Sequence, residues 1–417
     1  MISSLKELYS NNEKILNCQQ SRLSKLSHNF ESMFGSKPLK YFSSPGRTEI
    51  SGNHTDHNHG KVIAASIDLD SVAAASPNNK NKIVLFSEGY PNTFIIDLNK
   101  TEPIADERGT TAALIRGIAA GFKNKGYSIG GFNACVTSQV VIGYGLSSSA
   151  SFEVLVGTIL NYLFNDGIIA SEEIAMIGQF AENKYFGKPC GLMDQIACAV
   201  GGIVSIDFFD SQQPGIQKID FDFRSQGYKI LVVDTEASHA DLTDDYAAIP
   251  FEMKEVAKHF GKEFCAQISL ETLLAEISSL RKSVSDRAVL RAIHFLEENA
   301  RVEKQIEALN NNNFGLFLDL VNESGNSSYK YLQNIYSPKN IEEQSVAIAL
   351  ALSEMFIKKY RTGACRIHGG GFAGTIQLFL PDYLIDEYRS FISKIFRNEL
   401  IKVLTIRPFG TVCLTNN

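Results

Sequence analysis

The sequence predicts an α+β fold in two lobes, and three observations carry that expectation. Short strand-like runs dominate residues 41–209, helical periodicity takes over from residue 251 to residue 360, and strands return at 374–380 and 402–406. At 417 residues the chain is long enough for two lobes of ordinary size around a substantial core. The order of strands and helices places helices on a smaller sheet in the second half. The expected division is a lead-in at 1–40, a first lobe at 41–210 and a second lobe at 211–417.

Taken in order, residues 1–40 are polar and mostly helical in pattern. Residues 62–67, 71–75, 83–86, 94–98 and 132–136 are rich in β-branched and aromatic side chains and read as strands. Helices interrupt them at 112–122 and 152–163. In the second of these, Phe152, Leu155, Val156, Ile159, Leu160 and Leu163 fall on one helical stripe. Residues 227–234 form one more buried strand. Helices follow at 251–260, 270–280, 286–309 and 341–360, and a helix at 381–396 separates the last two strands.

Composition excludes several classes of function. Hydrophobic residues make up 44% and charged residues 21%, the profile of a soluble globular chain. Forty basic against 46 acidic side chains leave a formal charge of −6, with no long run of one sign. Neither nucleic acid nor an anionic membrane is an expected partner, although a local loop can still take a phosphate. The seven cysteines are scattered and form no Cys-x-x-Cys pair, so a disulfide framework or zinc site is not expected. Residues 1–16 lack the apolar core of a signal peptide, and no apolar stretch approaches the ~18 residues that span a bilayer. A cytoplasmic chain with free thiols is expected.

Four segments carry chemistry. In Gly143-Tyr144-Gly145-Leu146-Ser147-Ser148-Ser149-Ala150, two glycines let the backbone approach a ligand at the mouth of an amphipathic helix. Amides left unpaired in a first helical turn, together with the helix dipole, suit phosphate oxygens. The competing reading is a serine N-cap beside a glycine turn. A G-x-x-x-x-G-K-[ST] loop is absent, as is the protein-kinase catalytic set.

The second segment, Arg366-Ile367-His368-Gly369-Gly370-Gly371-Phe372-Ala373-Gly374, is glycine-dense ahead of a strand. It suggests a second wall of one nucleotide cleft. The third, Pro45 through Asn58, is dense in Arg, His, Asp and Asn, a surface suited to a polyhydroxylated ligand. Its His54, Asp56, His57 and His59 lack the helical spacings of metal ligands. The fourth pairs Glu182 with Asp194, where Gly191 allows a turn before the second acid. Phosphoryl transfer from ATP needs magnesium ligands and a group to orient or deprotonate the attacking hydroxyl.

Together these segments resemble the superfamily of galactokinase, homoserine kinase, mevalonate kinase and phosphomevalonate kinase, and within it the galactokinase family. The likeness runs from about Tyr41 to Gly410. Pro45-Gly46-Arg47 and Gly52-Asn53-His54-Thr55-Asp56 are similar to the galactokinase signature, and Gly145 through Ala150 to the superfamily's phosphate loop. Cys190-Gly191-Leu192-Met193-Asp194-Gln195 is similar to the catalytic segment, and His239-Ala240 with Asp245-Tyr246 to the stretch bearing a sugar-contacting tyrosine.

The resemblance implies an N-terminal lobe like ribosomal protein S5 domain 2, a C-terminal α+β lobe and an active site in the cleft between. It implies Asp194 as catalytic base or orienting acid, with Arg47 steadying it. Asn53, His54, Asp56, Gly191 and Tyr246 would contact the sugar. Gly143, Gly145, Leu146, Ser147, Ser148 and Ser149 would hold the phosphates of ATP, and Ser149 with Glu182 would hold Mg²⁺. The implied reaction is phosphorylation of galactose at its anomeric hydroxyl, by a monomer whose partners are the sugar and ATP. Four positions depart from the family pattern: Val141 replaces a usual proline, Ile367-His368 a usual Met-Thr, and residues 247–250 lack the usual arginines. The fourth is Asn53, where a glutamate usually meets the C6 hydroxyl. That change opens the alternatives of galacturonate, N-acetylgalactosamine or arabinose as substrate, and a silent sugar or nucleotide sensor is the alternative from another class.

Overall fold

The structure is a computed structural model and describes residues 5–9, 12–141, 143–237 and 242–414. The first lobe is built on an eight-stranded sheet. Its strands are β1 (Lys40–Ser51), β2 (Lys61–Pro77), β3 (Lys82–Ser87), β4 (Phe94–Asp97), β5 (Phe132–Ser138), β6 (Ile203–Asp207) and β7 (Gly215–Ile219), joined by a C-terminal strand described below. The second lobe carries β8 (Tyr228–Asp234), β9 (Ala364–His368), β10 (Thr375–Pro381) and β11 (Ile401–Leu404) in the order β11-β8-β10-β9, all antiparallel. The chain then returns to the first sheet as β12 (Val412–Leu414) beside β1. The first lobe is therefore not one contiguous piece of chain.

The long strand β2 organises the first sheet. It pairs with β1 along most of its length, with β6 through residues 61–65 and with β5 through residues 71–77. Sequence reading split it in two because Asp68-Leu69-Asp70 looks like a break. Asp70 is instead fully buried and satisfied by Arg22 at 2.5 Å, Arg407 at 3.1 Å and Tyr9 at 2.5 Å. These partners fasten the helical lead-in, whose main helix is Glu13–Phe34, to the sheet.

Alternation along β2 explains the layers, since successive side chains point to opposite faces. Ala73 and Ala75 join the core under helices Thr111–Asn124, Ser148–Phe164, Ser171–Ala181 and Met193–Val200. Val72 and Ala74 meet Leu26 and Phe30 of the lead-in helix. Further along, Ile63, Ala65 and Ile67 share a core with Ile230, Val232 and Phe379 of the second sheet. The opposite face of that sheet is covered by helices Ser345–Tyr360 and Ile385–Ile392.

Other expectations need correction. Residues 270–280 form two short helices, Leu270–Ala275 and Ile277–Leu280. Helices Ser171–Ala181 and Phe314–Ser327 escaped the sequence reading. Glycine and asparagine obscure the second, yet Gly325 allows a close approach, because a Cβ there would lie 3.0 Å from the Cys365 carbonyl of β9. All seven cysteines are free, five of them buried. Among the described residues no helix is long and apolar enough to cross a membrane.

Candidate active site between the lobes

The segment read as a polar surface divides in two. Residues 42–51 of β1 are buried, and several of their polar groups bind the second lobe. Gln377 donates to the Thr48 hydroxyl at 2.6 Å and to the Glu49 carbonyl at 2.9 Å. Arg366 donates to the Ile50 carbonyl at 2.8 Å and to the Glu49 carboxylate at 2.9 Å. A buried polar group costs stability unless it is paired, so this density of polar residues is first of all a lobe-to-lobe tie. Beyond it the chain turns through Gly52–Gly60, which carries His54 and Asp56, while Arg47 stays on β1 and reaches Asp194.

Asp194 sits in the first turn of helix Met193–Val200, where the positive end of the dipole favours a carboxylate. Arg47 Nε donates to Asp194 Oδ1 at 2.7 Å, and the Ser147 hydroxyl donates to Oδ2. Burial alone would lower the Arg47 pKa; Asp194 outweighs it and raises it. Arg47 also donates to the carbonyl of Gly145, and its backbone amide to that of Leu146 at 3.1 Å. The acid and the glycine loop are thereby locked into one unit.

The loop reaches helix Ser148–Phe164 through left-handed turns at Gly143 (φ 92°), Gly145 (φ 65°) and Ser147 (φ 57°). Ser147 does not cap the helix with its side chain, which is committed to Asp194, so the simple N-cap reading is displaced. The first-turn amides have no intrahelical partner by construction. A Cβ at Gly145 would lie 3.2 Å from His368 Nδ1 and 3.3 Å from Thr375 Oγ1. His368 of the second glycine-rich segment therefore packs directly against the glycine loop.

Ser149 and Glu182 come together, the hydroxyl donating to Glu182 Oε1 at 3.4 Å. Glu182 opens a single π-helical turn (Glu182–Phe186), a rare local geometry often found at functional sites. Sequence reasoning missed two neighbours. Gln195 donates to Glu182 Oε2 at 2.9 Å and to Glu153 Oε2 at 2.9 Å. Burial, with Glu182 close by, pushes the Glu153 carboxyl well above its usual range. Only the adjacency of Gln195 to Asp194 could have hinted at this pair. Among the described residues no group of three His, Cys, Asp or Glu is arranged to hold a metal. Ser149 and Glu182 still fit magnesium, a hard cation that commonly takes one or two protein oxygens and completes its shell with phosphates and water.

In the turn beyond β1, His54 donates from Nε2 to the Gly370 carbonyl at 2.7 Å and stacks on Tyr246 with ring centroids 6.5 Å apart. Tyr246 donates to the Gly371 carbonyl at 2.9 Å. A Cβ at Gly191 would fall 2.1 Å from Asp56 Oδ2, so only glycine lets that carboxylate rest on the turn before Asp194. His239 and Ala240 lie outside the described residues.

Asn53 requires a correction. It is fully buried, donating to Glu49 Oε1 at 3.0 Å and to the Gly369 carbonyl at 2.7 Å. Its own carbonyl accepts from Asn334 at 2.7 Å and Ser328 at 3.3 Å. Both donors and both lone pairs are occupied, which leaves nothing with which to read a sugar hydroxyl. Sequence alone could not reveal this, because the four partners come from as far as residue 369.

A groove of about 940 Å³ opens elsewhere, lined in part by His59, Lys61, Asn299 and Lys330 and by neither Asp194 nor the glycine loop. Lys61 there is paired with Glu303 and with Asp207 at 3.5 Å. Volume points to the groove, but the convergent acids and the glycine loop are at Asp194, and chemistry is the better guide.

The comparisons with known proteins agree with this geometry. Residues 28–77 match the family described as the galactokinase galactose-binding signature, and residues 113–202 match the N-terminal domain of GHMP kinases. A galactokinase of Clostridium acetobutylicum is 30% identical over 368 residues, 87% of this chain and 90% of that protein. The chain belongs to the galactokinase family. The crystal structure of the Lactococcus lactis galactokinase complexed with galactose superimposes with a TM-score of 0.80 at 25% identity, covering 94% of this chain and 99% of that one. The Methanococcus jannaschii mevalonate kinase shares the fold, with a TM-score of 0.60 at 19% identity over 89% of this chain and 99% of its own. The α+β two-lobed expectation and the assignment as a sugar kinase both hold.

Proposed function

We propose that this enzyme transfers the γ-phosphoryl group of ATP to the anomeric C1 hydroxyl of galactose, giving galactose 1-phosphate and ADP. The observation that carries the reading is the lock of Asp194 to Arg47 and to Ser147 of the glycine loop, which sets an acid beside a phosphate cradle. Asp194 would orient the C1 hydroxyl and take its proton as the new O–P bond forms and the bond from the γ-phosphorus to the bridging oxygen of ADP breaks. Arg47 would hold that carboxylate in place. Residues Gly143 to Ser149 would cradle the phosphates. Ser149 and Glu182 would hold Mg²⁺, which when bound neutralises phosphate charge. His54, Asp56, Tyr246 and the Gly191 backbone would line the sugar pocket. With Asn53 withdrawn into the lobe interface, the main argument for a changed C6 preference is gone, which favours galactose over galacturonate. Seven free thiols suit a reducing compartment, and a cytoplasmic location belongs to this reading.

The test is release of ADP from ATP across a panel of hexoses, uronic acids and pentoses, with the product's phosphate position read by phosphorus NMR. Galactose should give the highest kcat/KM and an anomeric phosphate. A higher kcat/KM for any other sugar, or a 6-phosphate, would overturn the proposal.

A further inference from the structure

The turn that carries the two sugar-side residues holds a third group with no role so far. His57 lies between them: Nδ1 is 2.7 Å from Asp56 Oδ1, and Nε2 is 3.2 Å from His54 Nδ1. The hydrogen-bond chain fixes where the protons are. The Gly370 carbonyl can only accept, so His54 Nε2, 2.7 Å away, carries a hydrogen. If His54 is neutral its Nδ1 is a lone pair, and His57 Nε2 must donate to it. At the other end the Asp56 carboxylate can only accept, so His57 Nδ1 must donate as well. The chain is complete only with one extra proton.

Three sites could hold that proton, and two are poor. Asp56 is the weakest base of the three, its carboxyl held low by His57 against the opposing effect of burial. His54 is only 7% exposed, and burial keeps its pKa down. The His57 side chain is 33% exposed and touches the carboxylate directly. Burial would lower its pKa, but Asp56 outweighs this and raises it, with a smaller contribution from Glu49. Helix Thr243–His259, packed on this turn, brings Asp245, which is occupied by the Ser337 hydroxyl at 2.6 Å, and Tyr246 against His54.

We propose that His57 is a positioning residue that, as an imidazolium, is braced by His54 and aims Asp56 at the sugar, so that galactose affinity falls when His57 loses its proton in alkaline solution. A neutral His57 has one hydrogen for two acceptors, so either Asp56 or His54 is released. The inference rests on the reading that Asp56 contacts the sugar.

Calorimetric titration with galactose between pH 6 and 9 tests it in the parent, His57→Gln and Asp56→Asn. The loss of one charge-assisted bond corresponds to about ten-fold in Kd. The parent should weaken by about that factor as pH rises, and His57→Gln should be weak and flat throughout. A His57→Gln curve that follows the parent's overturns the inference. Asp56→Asn separates the two levels. If it binds galactose like the parent, the sugar reading itself fails; if it binds weakly while His57→Gln titrates normally, only the role of His57 fails. Nitrogen-15 NMR of histidine-labelled parent enzyme gives a readout independent of any variant's folding. Both His57 nitrogens should carry hydrogen at pH 7, and a single neutral tautomer there would sink the idea.

Discussion

Replacing Asn53 by glutamate separates a sugar-reading residue from a tie between the lobes. In the first case the change alters substrate preference and leaves stability nearly untouched. In the second it removes an NH₂ that donates to Glu49 Oε1 at 3.0 Å and to the Gly369 carbonyl at 2.7 Å, and puts a carboxylate in its place. A hydrogen bond to a charged group contributes about 1.5–3 kcal/mol, and a buried carbonyl left unpaired costs about 1–3 kcal/mol. The expected loss is therefore ~3–5 kcal/mol, similar to breaking a buried ion pair. With ~2.1 cal/mol/K of unfolding entropy per residue, 417 residues give roughly 0.9 kcal/mol/K, so the melting temperature should fall by about 3–6 °C. The deficit should shrink as pH falls toward 5. Burial already raises the Glu49 pKa, and two adjacent carboxyls raise it further until one takes a proton. Differential scanning calorimetry at pH 5 and pH 8 measures both effects. An unchanged melting temperature, together with a ten-fold shift in the kcat/KM ratio of galactose to galacturonate, would refute the reasoning.

Further outcomes are expected elsewhere in the cleft. Asp194→Asn keeps the side-chain shape but removes the negative charge, so kcat should fall by ~10²–10⁴ with little change in ATP affinity; a variant retaining half its activity would exclude the assigned role. Ser149→Ala and Glu182→Gln should each raise the Mg²⁺ concentration at half-maximal rate, and should weaken Mn²⁺ binding followed by electron paramagnetic resonance in the presence of ATP. Gly191→Ala places a Cβ 2.1 Å from Asp56 Oδ2, so KM for galactose should rise well beyond KM for ATP, as steady-state kinetics will report. Glu298 is fully buried; burial opposes its ionisation, but His294, Arg301 and Arg366 outweigh it and hold its pKa down to about 2. Its stabilisation is thus present above the unfolded value of about 4.3 and is lost as pH falls toward 2, so Glu298→Gln should flatten the acid limb of a stability–pH curve.

Much of the site was legible because its signals are local. A phosphate cradle needs small residues and hydroxyls at the mouth of a helix, and Gly143 to Ala150 spell that out in eight consecutive positions. Asp194 and Gly191 lie in one short turn, and their motif travels as a block. Strands β2 to β5 could be read from β-branched runs, although Asp70 broke the pattern of β2, whereas β1 read as a polar segment and β6, β7 and β12 gave no separate signal. Asp70's partners, Arg22 and Arg407, are 48 and 337 residues away, and no window along the chain includes them.

The sequence by itself determined the chemistry on offer: a glycine loop, two acids and an arginine. Only the tertiary structure decided which polar residues face the ligand and which face the other lobe. Thr48, Glu49 and Asn53 share a stretch with Arg47, His54 and Asp56, and composition cannot tell them apart. Their fates diverge because β1 is buried on its approach to the cleft, where every polar atom must find a protein partner. Arg366, Gln377 and Asn334 supply those partners for one set. Of the other set, Arg47 stays on β1 and turns to Asp194 and the glycine loop, whereas His54 and Asp56 lie past the end of the strand in the turn that meets Gly191.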